Sequence, residues 1–407
     1  MKYQLSFPST INATIQLPSS KSISNRALII NALAKGSITP ANLSDCDDTQ
    51  VMIKALADNQ EIVDIRAAGT AMRFLTAYFS VTSGTRIITG TERMKQRPIG
   101  ILVDALRELG ADIEYVENEG YPPLRITGKE LTKNEISLPG NVSSQYISAL
   151  LMIAPVLKNG LNLFLTGEVI SLPYIKLTLQ LMKEFGVTAI WNSDNSLQIA
   201  PQPYKDIPYL VESDWSAASY WYQMVALADE AEVVLPGLLF DSYQGDHRGS
   251  RIFEELGVKT IFTKEGVILT KKTISTERLE DDFSDIPDLA QTFAVTCVLL
   301  NIPFRFTGLQ TLKIKETDRI VALITELAKL GYKIKDEDDS ILFWNGERIE
   351  PQVDPVIRTY EDHRMAMAFA PAGMFYPRLT INEPLVVTKS YPTFWNDLQN
   401  IGVKITF

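Results

Sequence analysis

Five segments of the chain share one plan, an amphipathic helix pattern that stops at a glycine and runs into a short strand pattern. They are VDALRELGADIEY, TLQLMKEFGVTAIW, IFEELGVKTIF, ITELAKLGYKIK and DLQNIGVKITF. Their glycines are Gly110, Gly186, Gly257, Gly331 and Gly402, at successive spacings of 76, 71, 74 and 71 residues. A helix C-terminus favours a left-handed residue before the chain turns away, and glycine adopts that conformation without steric cost. A sixth, degenerate copy fits at TQVMIKALADNQEIVDI.

Between these lies a second set of helix patterns, apolar almost all round. They begin near Ser22, Thr70, Ser144, Asp214, Asp288 and Asp362, and helices hydrophobic on every side belong inside a core. Short β-branched runs such as TRIITG, LNLFLTG and AEVVLPG follow most of them. The expected unit is therefore strand, buried helix, strand, amphipathic helix and further strands, occurring six times. A period near seventy is too long for a solenoid, and 407 residues exceed one ordinary core. The expectation is an α/β chain of two domains with three units each, crossing near Pro18 and Glu212. One domain takes 1–18 with 213–407 and the other takes 19–212, with hinges at the crossings.

The starts of the buried helices are where chemistry is expected, because their free N–H groups and partial positive charge suit anions. In the first half they carry Lys21 and Ser22, Gly69 and Thr70, and Ser143, Ser144 and Gln145; in the second half, Asp214, Asp288 and Asp362. Simple capping accounts for any one Ser, Thr or Asp. The cations are harder to dismiss: Lys21, Arg26, Arg73 and Arg364 stand where positive charge opposes the helix dipole, a cost that an arriving anion would remove. Arg93, Lys95 and Arg97 precede another helix, and KIKETDRI and VTKSYP add Lys315, Arg319 and Lys389.

A formal net charge of −10 supplies no basic footprint for nucleic acid. Apolar stretches such as 149–157 fall far short of the roughly 20 residues that span a bilayer, and the N-terminus alternates like a strand rather than a signal peptide. The only cysteines are Cys46 and Cys297 and the only histidines His247 and His363, which give little support to a disulfide framework or a metal site. The expectation is a cytoplasmic protein that needs neither metal nor cofactor and binds small anions, with no nucleic-acid or membrane partner.

Seven segments, SSKSISNRA, AGTAMRFL, RMKQRPIG, SSQYISALLM, SDIPDLAQT, KETDR and EDHRMAMAFA, resemble the signatures of the 5-enolpyruvylshikimate-3-phosphate synthase family, in that family's order. The resemblance implies two domains of three βαβαββ units that close on ligands bound between them, a monomer, and two small-molecule substrates, phosphoenolpyruvate and shikimate 3-phosphate. It implies that Lys21, Arg97, Arg319, Arg364 and Lys389 hold phosphoenolpyruvate, with Gly69 leaving room and Gln145 alongside. Shikimate 3-phosphate would be held by Lys21, Ser22, Arg26, Ser143, Ser144, Gln145, Ser171, Tyr174, Asp288 and Lys315. Asp288 would be the base for the attacking hydroxyl, Glu316 would move the proton at the methylene carbon, and Lys21 would assist the departing phosphate. Two carboxylates in different environments suit a reaction that needs both a base and an acid, and the family's inhibitor glyphosate is expected to act here.

The chain departs from the family in places. The stretch between Asp48 and Gly69 is trimmed, Ala67 stands where an Asn is common, Thr311 and Lys313 replace Asn and Arg, and Phe74 replaces a Pro. The related transferase acting on UDP-N-acetylglucosamine is the enzyme alternative, but it places a Cys in the loop corresponding to 92–98, where this chain has ERMKQRP. A non-catalytic binder of phosphorylated metabolites and a nucleic-acid enzyme on the same fold are the other readings. The first need not keep both carboxylates, and the second requires basic surface.

Overall fold

The computed structural model describes residues 1–57, 60–192 and 195–407. These form two compact units, one of Met1–Pro18 with Glu212–Phe407 and one of Ser19–Val211. Glu212 goes with the first unit because its carboxylate accepts hydrogen bonds from Ser242 Oγ (2.7 Å) and Gln244 Nε2 (2.9 Å). No helix among the described residues is long and apolar enough to cross a membrane.

Twelve helices are found among the described residues: α1 (Lys21–Leu33), α2 (Asp47–Ala57), α3 (Gly69–Val81), α4 (Gly100–Glu108), α5 (Ser144–Ile153), α6 (Leu172–Glu184), α7 (Trp215–Leu227), α8 (Gly249–Glu255), α9 (Ala290–Leu299), α10 (Arg319–Lys329), α11 (His363–Phe369) and α12 (Phe394–Asn400). The odd-numbered helices are the apolar set and the even-numbered ones the amphipathic set. Every residue of α9 is buried, whereas α10 buries Ile320, Leu323 and Leu327 and exposes Val321. A fully buried large apolar side chain contributes about 1.5–3 kcal/mol, so the buried helices carry much of each core. In one unit α3 packs on α1 and α5; in the other α9 packs on α7 and α11. The five repeat glycines all have positive φ, between 84° and 105°.

Each unit's sheets share one topology. In the unit of Ser19–Val211, one sheet runs Ile62–Asp64, Gly84–Thr89, Leu124–Gly128 and Asp112–Tyr115, and the other runs Glu135–Pro139, Leu161–Thr166, Ser196–Ile199 and Ala189–Trp191. The first pair in each is parallel and the remaining pairs antiparallel, as a helical crossover followed by a hairpin dictates. The other unit repeats this plan three times, and the chain's first two strands enter different sheets. Lys2–Ser6 lies between Thr380–Asn382 and Lys404–Thr406, antiparallel to both, while Thr10–Thr14 pairs in parallel with Glu230–Pro236.

The expected six complete units are not all formed: five four-stranded sheets appear among the described residues. The first of the six expected repeats keeps α1 and α2 but, among the described residues, only an isolated bridge between Ala41 and Leu210. Its expected strand, Ile62–Asp64, pairs in parallel with Gly84–Thr89 and so opens the next sheet. Asp58 and Asn59 of the degenerate copy lie outside the described residues.

Candidate active site

In the unit of Ser19–Val211, the starts of α1, α3 and α5 carry the predicted polar residues. Ser20 and Ser143 cap α1 and α5, accepting from the N–H groups of Ile23 (3.5 Å) and Gln145 (3.4 Å). No side chain caps α3, which begins at Gly69. Gln145 Nε2 donates to Thr70 Oγ1 at 3.3 Å and joins the starts of α5 and α3. Tyr146 donates to the Pro98 carbonyl at 2.6 Å, tethering the segment that presents Arg97. Arg97 is nearly buried, pairs with no carboxylate among the described residues, and has an Nε without a hydrogen-bond partner there. Gly69 makes room for it: a Cβ at this position would lie 2.6 Å from Nη1 of both Arg97 and Arg73.

The cation expected to strain the start of α1 has a resident counter-charge, since Lys21 Nζ lies 3.2 Å from Asp48 Oδ2. Arg26 is turned inward. Its N–H groups go to Thr178 Oγ1 (2.7 Å), Ser148 Oγ (3.2 Å) and the Ser22 carbonyl (2.9 Å), and its guanidinium lies 5.2 Å from the centre of the Phe74 ring. Burial lowers its pKa to about 10, with Tyr174 acting in the opposite direction. Ser171 precedes α6 in the left-handed region, at φ 55°. Ser148, Thr178, Asp48 and Tyr146 are therefore supporting residues that sequence reasoning did not single out.

The other unit assembles a dense ionic cluster. Asp362 and Asp214 cap α11 and α7, accepting from the N–H groups of Arg364 (2.9 Å) and Ala217 (3.0 Å). Asp288 does not cap. It sits in a 3₁₀ turn, Pro287–Leu289, before α9, and its carboxylate turns to the cations instead. Arg319 Nη1 lies 2.7 Å from Asp288 Oδ1, Lys315 Nζ 3.3 Å from the same atom, and Arg364 Nη2 3.1 Å from Oδ2. Burial works to raise the Asp288 pKa, but the cations of Arg364, Lys315 and Arg319 outweigh it and hold the carboxyl well below its usual range.

Arg319 is the hub. It also donates to Glu316 Oε2 (2.9 Å) and to both oxygens of Asp362 (2.7 and 3.3 Å). Lys389 Nζ donates to the Glu361 carbonyl at 2.7 Å, in the loop that leads into α11. Lys313 instead pairs with Asp339 on the surface, and the ring of Phe74 is part of the core. Asp246 and Ser216 adjoin this cluster without having been predicted: Ser216 donates to Asp246, and Arg364 Nη2 donates to Ser216 Oγ at 3.5 Å. The segment YQGDHRG carried only the composition of a turn.

The family model described as EPSP synthase (3-phosphoshikimate 1-carboxyvinyltransferase) matches residues 5–59 and 56–398. The chain belongs to the EPSP synthase family. A Bacteroides fragilis protein named 3-phosphoshikimate 1-carboxyvinyltransferase is 68% identical over 405 residues, covering 100% of this chain and 99% of its own. A Haemophilus influenzae protein of the same name is 37% identical, covering 97% and 98%. Among solved structures, EPSP synthase from Acinetobacter baumannii matches with a TM-score of 0.76 at 19% identity over 100% of both chains. An enolpyruvyl transferase from Streptomyces tendae matches at 0.73 and 14% identity, over 100% of this chain and 98% of its own. These two likenesses carry the fold: sheets and buried helices in the enolpyruvyl transferase arrangement. The EPSP synthase family is favoured over the UDP-N-acetylglucosamine enzyme, and both cysteines agree with that, being buried. Burial also pushes the Cys297 thiol far up, away from a nucleophile's range.

Proposed function

We propose that this EPSP synthase family member joins phosphoenolpyruvate to the 5-hydroxyl of shikimate 3-phosphate and releases phosphate. The observation that carries the chemistry is Asp288, a partly buried carboxylate kept ionised by Lys315, Arg319 and Arg364, with Glu316 on the same guanidinium hub. An ionised carboxylate is an acceptor for a hydroxyl proton, and a second carboxylate beside it serves the other proton transfer.

Lys315 and Asp288, together with Lys21, Ser22, Arg26, Ser143, Ser144, Gln145, Ser171 and Tyr174, take shikimate 3-phosphate. Lys21, Arg97, Arg319, Arg364 and Lys389 take phosphoenolpyruvate, beside Gly69 and Gln145. The 5-hydroxyl oxygen attacks the central enol carbon and loses its proton to Asp288, while the methylene carbon gains a proton by way of Glu316. In the resulting ketal the bond from carbon to the phosphate oxygen breaks. The methyl group gives its proton back, the double bond reforms, and Lys21 assists the departing phosphate.

The cations around Asp288 give this sequence an order. While they face Asp288 alone they hold its pKa down and make it a weak base. An anion bound to Arg364 offsets part of that positive charge, so Asp288 gains basicity when phosphoenolpyruvate is present. Phosphate release from phosphoenolpyruvate, measured with and without shikimate 3-phosphate, tests the proposal. Release that depends on shikimate 3-phosphate, with a product heavier by one enolpyruvyl group, is expected. Binding of shikimate 3-phosphate without release would point to a non-catalytic binder.

A further inference from the structure

We propose that Asp246 is a positioning residue for Arg364, acting through the hydroxyl of Ser216. The inference rests on the reading that Arg364 holds phosphoenolpyruvate. Asp246 lies in a 3₁₀ turn, Gly245–Arg248, and is only 5% exposed. Its Oδ2 accepts the hydroxyl proton of Ser216, the second residue of α7. The Ser216 oxygen in turn accepts from Arg364 Nη2 at 3.5 Å, and the same nitrogen lies 3.1 Å from Asp288 Oδ2.

A hydroxyl is a rotor that can turn either its proton or its lone pairs toward a neighbour. Facing a guanidinium, only the lone pairs are favourable. An ionised carboxylate can only accept, so Asp246 captures the Ser216 proton and commits the lone pairs to Arg364. Without that bond, the Asp288 carboxylate, 3.1 Å away, draws Arg364 Nη2 toward itself with no opposing pull from Ser216. With it, the guanidinium is held between two acceptors before any ligand arrives. A cation placed in advance does not have to be ordered when the anion binds.

Tethering the turn to α7 would be the purely structural role, and a neutral side chain could do that without the cost of burying a carboxylate. That cost is visible. The Oδ1 of Asp246 finds no hydrogen-bond partner among the described residues, and burial lifts the Asp246 pKa to about 6. The charged groups that act on it are Arg364, which lowers the pKa, and Asp288 and Asp214, which raise it.

The test compares the full-length variants S216A, D246A, D246N and R364Q in steady-state kinetics with each substrate varied. S216A and D246A are each expected to raise KM for phosphoenolpyruvate about tenfold, the scale of one hydrogen bond to a charged group. KM for shikimate 3-phosphate should stay close to that of the unmodified protein. S216A/D246A should be no worse than the poorer single variant, because both break the same path. D246N can accept through its oxygen but can also donate through its amide, so it should fall between the unmodified protein and D246A. Equal rises in both KM values, additive losses in the double variant, or D246N no better than D246A would each overturn the proposal. R364Q separates the two layers. An unchanged KM for phosphoenolpyruvate in R364Q removes the reading on which the proposal rests. A raised KM in R364Q with a native value in S216A removes the role of Asp246 alone. Ser216 is only partly buried, so S216A keeps the test open if D246A fails to fold.

Discussion

Arg319 holds the carboxylate of Asp362 with two of its nitrogens, Nε at 2.7 Å from Oδ2 and Nη2 at 3.3 Å from Oδ1, and both side chains are buried. Asp362 also caps α11 through the N–H of Arg364. One carboxylate thus fixes the hub of the ionic cluster and the start of the helix that carries Arg364. Burial opposes the Arg319 charge, but Asp362, Glu316 and Asp288 together raise its pKa above the ordinary value.

Removing Asp362 leaves a buried cation short of its main partner and α11 without its cap. Asp362→Ala is expected to lose about 3–5 kcal/mol of stability, the scale for breaking a buried pair. Urea unfolding measures it. The control is Lys313→Ala, which opens the exposed pair with Asp339 and should leave the midpoint in place. Equal midpoints for Asp362→Ala and the unmodified protein would show that the pair does not hold the cluster together.

Glu316→Gln keeps the shape beside Arg319 and removes the titrating group. Turnover is expected to fall by roughly 10²-fold or more, the usual scale for an acid or base. Shikimate 3-phosphate binding, followed by calorimetry, should persist. Near-normal turnover would take Glu316 out of the mechanism.

At Gly69 an added methyl would lie 2.6 Å from the terminal nitrogens of Arg73 and Arg97, the flexible ends of long side chains. Gly69→Ala should therefore fold normally while displacing both cations. Weaker phosphoenolpyruvate binding and weaker inhibition by glyphosate are expected together, with KM for shikimate 3-phosphate little changed. Loss of thermal stability with both KM values intact would mean that the methyl is accommodated by the backbone.

Asp246 makes a pH prediction with a definite sign. Its pKa is 3.8 as an ordinary carboxyl and about 6 in the fold. Between these values the unfolded chain gives up the proton while the folded protein keeps it, so this group's contribution to stability falls as pH rises through that window. Asp246→Asn has no such loss. Its stability relative to the unmodified protein should climb by up to about 3 kcal/mol from pH 4 to pH 6 and then level off. Denaturant unfolding at a series of pH values checks it, and a constant offset would contradict the shift.

Much of this was legible in the residues themselves. The apolar and amphipathic helices, their alternation and the left-handed glycines that end the amphipathic set follow from local periodicity, and all five glycines have positive φ. The side chains gathered at the helix starts were legible for the same reason, since N-terminal position is a local property. That Glu316 and Arg319 would meet follows from a spacing of three residues, and they lie 2.9 Å apart.

Other features were decided only when distant segments met. Asp288 and Asp362 look alike in sequence, each at the start of a buried helix, yet one caps its helix and the other faces three cations. Nothing in YQGDHRG or DWSAAS says that Asp246 and Ser216 meet beside Arg364, because those contacts span 30 and 148 residues. The missing sheet of the first unit and the separate destinations of Lys2–Ser6 and Thr10–Thr14 are likewise matters of pairing. Helix periodicity and capping depend on neighbours within a turn or two, which the order of residues determines alone. Strand partners and buried ion pairs depend on which surfaces the packed helices bring together, and only the tertiary structure decides that.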